Sequence, residues 1–269
     1  VRLIGGIGST CIRRVVAAFG TGRISIVMAK KQHLRENLIC NSAPKLGSSL
    51  NMALQITTPF AIPVALARHP DHENLNAALR KLFLEREQAG DRYANRTATM
   101  QINPELYESR FDLFKWPEAS IGKLREFCWE NLYKLIYQFN NYDEATLRRM
   151  LGHSDAWFHI TRRGGYFGLH NHPMASWSGV YCVDAGRSDA TRRDSGLLSF
   201  PHPCASSAMF IDAATAKMKL PYSYGTREYR LDPGELVLFP SWLLHQVTPF
   251  QGDGERITVA FNAWFTLDD

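Results

Sequence analysis

Ala156-Trp157-Phe158-His159-Ile160-Thr161-Arg162-Arg163-Gly164-Gly165-Tyr166-Phe167-Gly168-Leu169-His170-Asn171-His172 is the stretch that decides the fold. Its first six residues are aromatic and β-branched, the composition of a half-buried strand. Arg162 to Gly165 reads as a turn, and Tyr166 to His172 as a second strand. In an extended strand alternate side chains share a face. His170 and His172 are therefore expected to point into the same space.

Strand-like runs continue downstream: Ser178 to Val183, Gly196 to Phe200, Tyr222 to Leu231, Leu236 to Phe239, Gln246 to Pro249 and Arg256 to Phe265. Asp232-Pro233-Gly234 and Gly252-Asp253-Gly254 are among the turn signals between them. Strands in such number without intervening helices predict a sandwich or jelly-roll barrel. Upstream the period changes. Leu75, Leu79, Leu82 and Phe83 predict a helix over Asp71 to Ala89. Ile121, Leu124, Phe127, Cys128, Leu132, Leu135, Ile136 and Phe139 form the stripe of a second helix over Glu118 to Asn140. Asp143 to Met150 predicts a short third helix, and Leu54 to Phe60 a strand ended by proline. The expected class is α+β, a double-stranded β-helix (a jelly-roll or cupin-like barrel) with N-terminal helices packed against it. Residues 46–269 are expected to form one domain, helical over about 70–152 and β over about 154–266.

Composition sets bounds. The chain has 269 residues and a formal net charge of +5. Seven of its 31 Lys and Arg fall between Val1 and Arg35, where there is no Asp or Glu. The remainder is close to neutral, with no basic stripe interleaved with aromatics, so no nucleic-acid partner is expected. No apolar run reaches the ~18 residues of a membrane span. Five scattered cysteines without a C-x-x-C pair predict neither disulfide framework nor structural zinc, and fit the cytoplasm. Residues 1–45 are expected to lie mostly outside the folded core. Met28-Ala29-Lys30-Lys31 resembles a natural beginning, and the composition also fits a transit peptide.

The chemistry gathers at His170, His172 and a distant His245. A barrel that returns the chain brings the third imidazole to the first two. Non-haem iron centres commonly use two histidines and a carboxylate on one face, and keep positions open. Here His172 stands where the carboxylate is expected. The nearest acids downstream, Asp184 and Asp194, are not obvious replacements. His33, His69, His72, His153 and His202 read as ordinary surface or core histidines, with His159 intermediate in an aromatic strand. Metal affinity is expected to fall below pH about 6, because each imidazole must be neutral to bind. Arg256 opens the last strand, with Thr258 two residues on and on the same face. Such a pair holds a carboxylate by a bidentate fork and one further bond. The alternative is a surface ion pair with Glu255 or Asp253. Trp157, Trp177, Trp242 and Trp264 are candidates for the pocket wall, and Asp184 to Ser195 for a lid.

Three blocks carry a family resemblance: Gly168 to Val183, Gly234 to Val247 and Glu255 to Asn262. Together they resemble a bacterial and phage family of 2-oxoglutarate/Fe(II) oxygenases, over roughly residues 100 to 265. The resemblance implies Fe(II) at the open end of the barrel, with His170, His172 and His245 as its ligands. It implies 2-oxoglutarate as co-substrate, its distal carboxylate held by Arg256 and Thr258, with Tyr181 as a further contact. The activity implied is a hydroxylase acting on a small molecule or peptide, coupling C–H oxidation to decarboxylation of 2-oxoglutarate to succinate. A homodimer is compatible with it, and a membrane partner is not expected. The alternative is a cupin-type metal-dependent dioxygenase or isomerase that does not use 2-oxoglutarate.

Overall fold

The structure is a computed structural model that describes residues 55–97, 103–187, 191–204 and 210–268. The expectations for residues 1–45, including a start at Met28, lie outside the described residues, as do residues 188–190 of the candidate lid. The elements below all lie in one unit, Thr58–Asp269.

In chain order they are β1 (Ala65–Arg68), α1 (His72–Gln88), β2 (Leu106–Glu108), α2 (Ala119–Phe139), α3 (Glu144–Arg148), β3 (Met150–Thr161), β4 (Phe167–His170), β5 (Trp177–Asp184), β6 (Leu198–Phe200), β7 (Arg227–Tyr229), β8 (Glu235–Pro240), β9 (His245–Val247) and β10 (Arg256–Leu267). They form two antiparallel sheets. The larger has the order β1-β8-β5-β10-β3-β2, and the smaller β4-β9-β6-β7. From β3 to β10 the chain passes back and forth between the sheets, which is the winding of a double-stranded β-helix. β1 and β2 extend the larger sheet at its two edges.

Alternation along the strands separates two cores. Phe158, Ile160, Tyr181, Val183, Leu236, Leu238, Ile257, Val259 and Phe261 leave the larger sheet on its outer side and pack against α1 and α2. The helices meet them with Leu75, Leu79, Leu82, Phe83, Ile121, Leu124, Leu132 and Leu135 from the predicted stripes, whereas Phe139 at the end of the second stripe is exposed. Phe83 stacks on Phe158 with ring centroids 4.2 Å apart and planes 7° from parallel. The inner face carries Cys182, Val237 and Phe239 toward Leu198, Phe200 and Leu243. Arg162 forks onto Glu87 at 2.6 and 2.8 Å, tying the end of β3 to α1.

Three sequence expectations need correction. Residues 55–64 form no strand. The strand begins at Ala65, after Pro63 rather than before Pro59, since proline cannot donate to a ladder. α3 stops at Arg148, and β3 starts at Met150, six residues before Ala156. β10 is long enough to pair all the way from Arg256↔Thr161 to Leu267↔Met150. Tyr222 to Leu231 contributes only Arg227–Tyr229.

Phe83 is fully buried in the helix-to-sheet core. Phe83→Ala is expected to lower stability by roughly 3–5 kcal/mol, through lost transfer energy and the cavity left behind. Denaturant unfolding checks it. A loss under about 1 kcal/mol contradicts the packing of α1 on β3.

Candidate metal centre and co-substrate pocket

Strands β4 and β9 pair so that His170 faces His245 across the ladder. His172 follows in a turn whose backbone is anchored by His172 N–H donating to Ser241 O at 2.9 Å. Ring centroids lie 4.2 Å apart for His170 and His245, 4.9 Å for His170 and His172, and 5.2 Å for His172 and His245. One ring nitrogen from each lies within 4.8 Å of the others. Among the described residues no carboxylate joins this cluster. Asp184 pairs with Arg80 at 2.8 Å, and Asp194 with Arg192 at 3.1 Å.

Two of the three rings are held in a defined tautomer. Nδ1 of His170 lies 2.7 Å from Gly168 O, and Nδ1 of His245 lies 2.8 Å from Leu243 O. A carbonyl only accepts, so Nδ1 carries the proton and Nε2 presents a lone pair. This is the orientation in which a backbone carbonyl holds a metal-binding imidazole. His172 has no such carbonyl among the described residues and is set by ring contacts, including Trp157 at 5.9 Å. Burial pulls the pKa of all three below the ordinary value. His172 falls to about 4 and His245 to about 3, with the positive charge of a protonated His170 adding to the effect on both. Three neutral imidazoles around one point form a donor set that fits a divalent transition metal.

The cavity at this cluster is lined by side chains from both sheets, including His159, Phe167, Phe239, Val247, Thr258 and Asn262. Ser178 Oγ lies 2.8 Å from Ser241 Oγ and donates to Asn262 Oδ1 at 2.7 Å, a polar patch in an otherwise apolar wall. On β10 Thr258, Ala260 and Asn262 line the cavity, and Arg256 shares their face by alternation without being among the lining residues. Arg256 is 4% exposed. Glu255 engages Arg80 at 2.7 Å and Asp253 engages Arg163 at 2.6 Å, so neither neutralises it. Among the described residues no carboxylate lies within ion-pair distance of its guanidinium. Burial pushes its pKa down, as for a cation short of a counter-charge. Gly196 makes room for it. A Cβ there would come within 3.1 Å of Arg256 Cδ, and the backbone sits at φ +62°.

Tyr181 is not a pocket residue, which corrects the sequence expectation. β5 turns Ser178 and Val180 inward and Tyr181 outward. Tyr181 is fully buried under the helices, with its hydroxyl donating to Asn76 Oδ1 at 2.8 Å. Of the four tryptophans only Trp157 lines the cavity. Trp177 packs on the helical side, Trp242 is about half exposed, and Trp264 stacks beside His153.

The sequence reading missed Glu108. β2 sets it opposite His159, and its Oε2 lies 2.9 Å from His159 Nε2. A carboxylate only accepts, so Nε2–H donates to Glu108. The indole N–H of Trp157, 3.1 Å from the same nitrogen, then has no lone pair to use there. Burial alone would raise the pKa of Glu108. Hydrogen bonds from His159 and Asn95 outweigh it and hold the group below the usual value. A three-residue strand 51 positions from its partner leaves no local pattern to read.

No curated protein matches the sequence. Similar solved structures include a Pseudomonas putida prolyl-4-hydroxylase at 15% identity, covering 77% of this chain and 93% of that one with a TM-score of 0.48. AviO1 from Streptomyces viridochromogenes Tue57 is 17% identical over 74% and 88%, at 0.48. HygX from Streptomyces hygroscopicus, with nickel, 2-oxoglutarate and hygromycin B bound, is 11% identical over 74% and 82%, at 0.42. At such TM-scores these likenesses decide nothing about the chemistry of this chain. The family described as "Putative 2OG-Fe(II) oxygenase" matches residues 155–262, less than half of the chain but the part that holds the three histidines, Arg256 and Thr258. Over that segment the chain is similar to the 2-oxoglutarate- and Fe(II)-dependent oxygenases, and the segment carries the histidine cluster that could hold a metal ion.

Proposed function

We propose that the chain is a hydroxylase in which His170, His172 and His245 hold Fe(II), and Arg256 with Thr258 holds the distal carboxylate of 2-oxoglutarate. The observation that carries this reading is the guanidinium of Arg256. It is a buried charge without an acid, on the inner face of the barrel that gathers three neutral imidazoles. A buried, unpaired cation costs several kcal/mol, and a dianionic co-substrate supplies the missing partner. Its planar fork matches a carboxylate in a bidentate pair, and the Thr258 hydroxyl on the same face adds one bond.

When bound, Fe(II) and 2-oxoglutarate would, with O2 as oxidant, supply the oxidative decarboxylation to succinate and CO2 coupled to hydroxylation of a substrate C–H bond, one oxygen atom going to succinate and the other to the product. The chain's own residues do the rest. The Gly168 and Leu243 carbonyls orient two ligands. Phe167, Phe239 and Val247 exclude water from the apolar wall. Ser178 and Asn262 offer polar contacts within the cavity. We propose a small molecule or peptide as substrate, a cytoplasmic setting in keeping with the buried free thiols of Cys128 and Cys182, no nucleic-acid partner, and a homodimer as the assembly to test. Among the described residues no helix is long and apolar enough to cross a membrane. A cupin-type enzyme without 2-oxoglutarate leaves Arg256 with nothing to bind.

Arg256→Ala is expected to weaken 2-oxoglutarate binding to the metal-loaded protein about 100-fold, roughly 3 kcal/mol for charge-assisted bonds. Metal affinity should barely change. Calorimetric titration checks both, and undiminished co-substrate binding contradicts the assignment of Arg256.

Metal titration of single alanine variants tests the ligand set. His170→Ala, His172→Ala and His245→Ala should each abolish tight binding. Near-normal affinity in His172→Ala instead leaves two protein ligands.

The depressed pKa values also revise the expected pH dependence. The unfolded chain takes up protons near pH 6.5, while folded His172 and His245 resist down to about 4 and about 3. Below pH 6.5 the unfolded state therefore binds more protons, and the metal-free protein loses stability as pH falls from about 6.5 toward 4. Metal affinity should stay flat through pH 6, where the sequence alone suggested a fall. Thermal unfolding and metal titration across pH 4–7.5 check the two trends.

A further inference from the structure

The histidine cluster has no carboxylate ligand, yet a carboxylate is buried beside it. The Glu108 side chain is 2% exposed. Its contacts are Asn95 Nδ2–H, donating to Oε1 at 2.7 Å, and His159 Nε2–H, donating to Oε2 at 2.9 Å. Among the described residues no Lys or Arg nitrogen lies within 4.0 Å of it. An amide and an imidazole satisfy its lone pairs, and among the described residues no permanently charged cation does. His159 lines the same cavity as the three histidines. Phe167 bridges the two groups, with ring centroids 5.3 Å from His159 and 4.3 Å from His170.

Two costs meet in this pocket. An ionised carboxylate taken out of water without a permanent cation beside it costs several kcal/mol. A divalent ion on three neutral imidazoles brings its full charge into a largely buried site. Each supplies what the other lacks, and interaction between them is strong because the medium between is apolar. We infer that Glu108 is the counter-charge of the metal centre, an outer carboxylate that takes over the electrostatic role of the anionic ligand missing from His170-Asn171-His172. It acts through space and through His159, without coordinating, and is a positioning residue rather than a catalytic one. The inference rests on the three-histidine reading of the site.

The test uses the full-length, metal-free protein at pH 8, above the ordinary imidazole range, titrated with Co(II) and followed by its visible absorption. Glu108→Gln keeps the shape of the side chain and removes the charge. It should bind Co(II) about 10-fold or more weakly, within the span usual for outer-shell partners of metal ligands. Its absorption envelope should be unchanged, because the ligands are the same. With iron bound, its Fe(III)/Fe(II) midpoint potential should move positive, since the more highly charged ion loses the greater support. Glu108→Asp and Asn95→Ala disturb the hydrogen bonds but keep the charge, and both should bind Co(II) nearly as wild type does. A loss in either as large as in Glu108→Gln overturns the inference, and so does a large loss in either where Glu108→Gln does not fold. Unchanged affinity and potential in Glu108→Gln overturn this inference alone. A wild-type protein that binds no Co(II) overturns the metal-centre reading and this inference with it.

Discussion

The antiparallel pairing of β4 with β9, in the register that faces His170 with His245, is the constraint on which the rest of the site depends. The two strands are separated by most of the barrel in sequence. They meet only because the chain winds between two sheets from β3 to β10. A slip of one residue would turn an imidazole to solvent, since side chains alternate across a strand. Register is specified where one face is buried, and here the inner face is buried under Phe239, Leu198 and Phe200. The turn carrying His172 is then pinned to the β8–β9 connection through Ser241.

Electrostatics marks two regions on the inner side of the barrel. At one stand three imidazoles that burial keeps neutral, with a buried carboxylate behind His159 and, among the described residues, no Lys or Arg within ion-pair distance of it. At the other stands a buried guanidinium with, among the described residues, no carboxylate within ion-pair distance. His159 and Thr258 are cross-strand partners between these regions, and Arg256 pairs with Thr161 one step further along β10. Uncompensated charges of this kind are costly inside a folded protein. They are retained where a ligand completes them, which is why the pocket is read as the place where metal and dianion meet. The helices serve the site indirectly. α1 and α2 cover the outer side of the larger sheet, which fixes which face of β3, β5 and β10 is left for chemistry.

Much of this was legible in the chain. The strict period of β10 predicted that Arg256 and Thr258 share a face, and the H-x-H spacing placed two histidines together. Tyr181 was misread because a strand position alone does not say which face is the barrel interior. Val180, its neighbour, turned out to be the inward residue. The paired role of Glu108 and His159 was illegible for a different reason. β2 is three residues long and gains its place only by pairing at the edge of β3, so no periodicity announces it. Arg256 was ambiguous until its two acidic neighbours, Asp253 and Glu255, were seen to be engaged by Arg163 and Arg80. Those are pairings across many residues that no local pattern reveals.

The central claim is that three histidines and Arg256 hold Fe(II) and 2-oxoglutarate in one pocket. Anaerobic titration of 2-oxoglutarate into the Fe(II)-loaded protein, followed by visible absorption, tests it most directly. The account predicts a saturable charge-transfer band at one equivalent of iron, produced when 2-oxoglutarate chelates the metal. Iron that binds at one equivalent but gives no band on saturation with 2-oxoglutarate would contradict it.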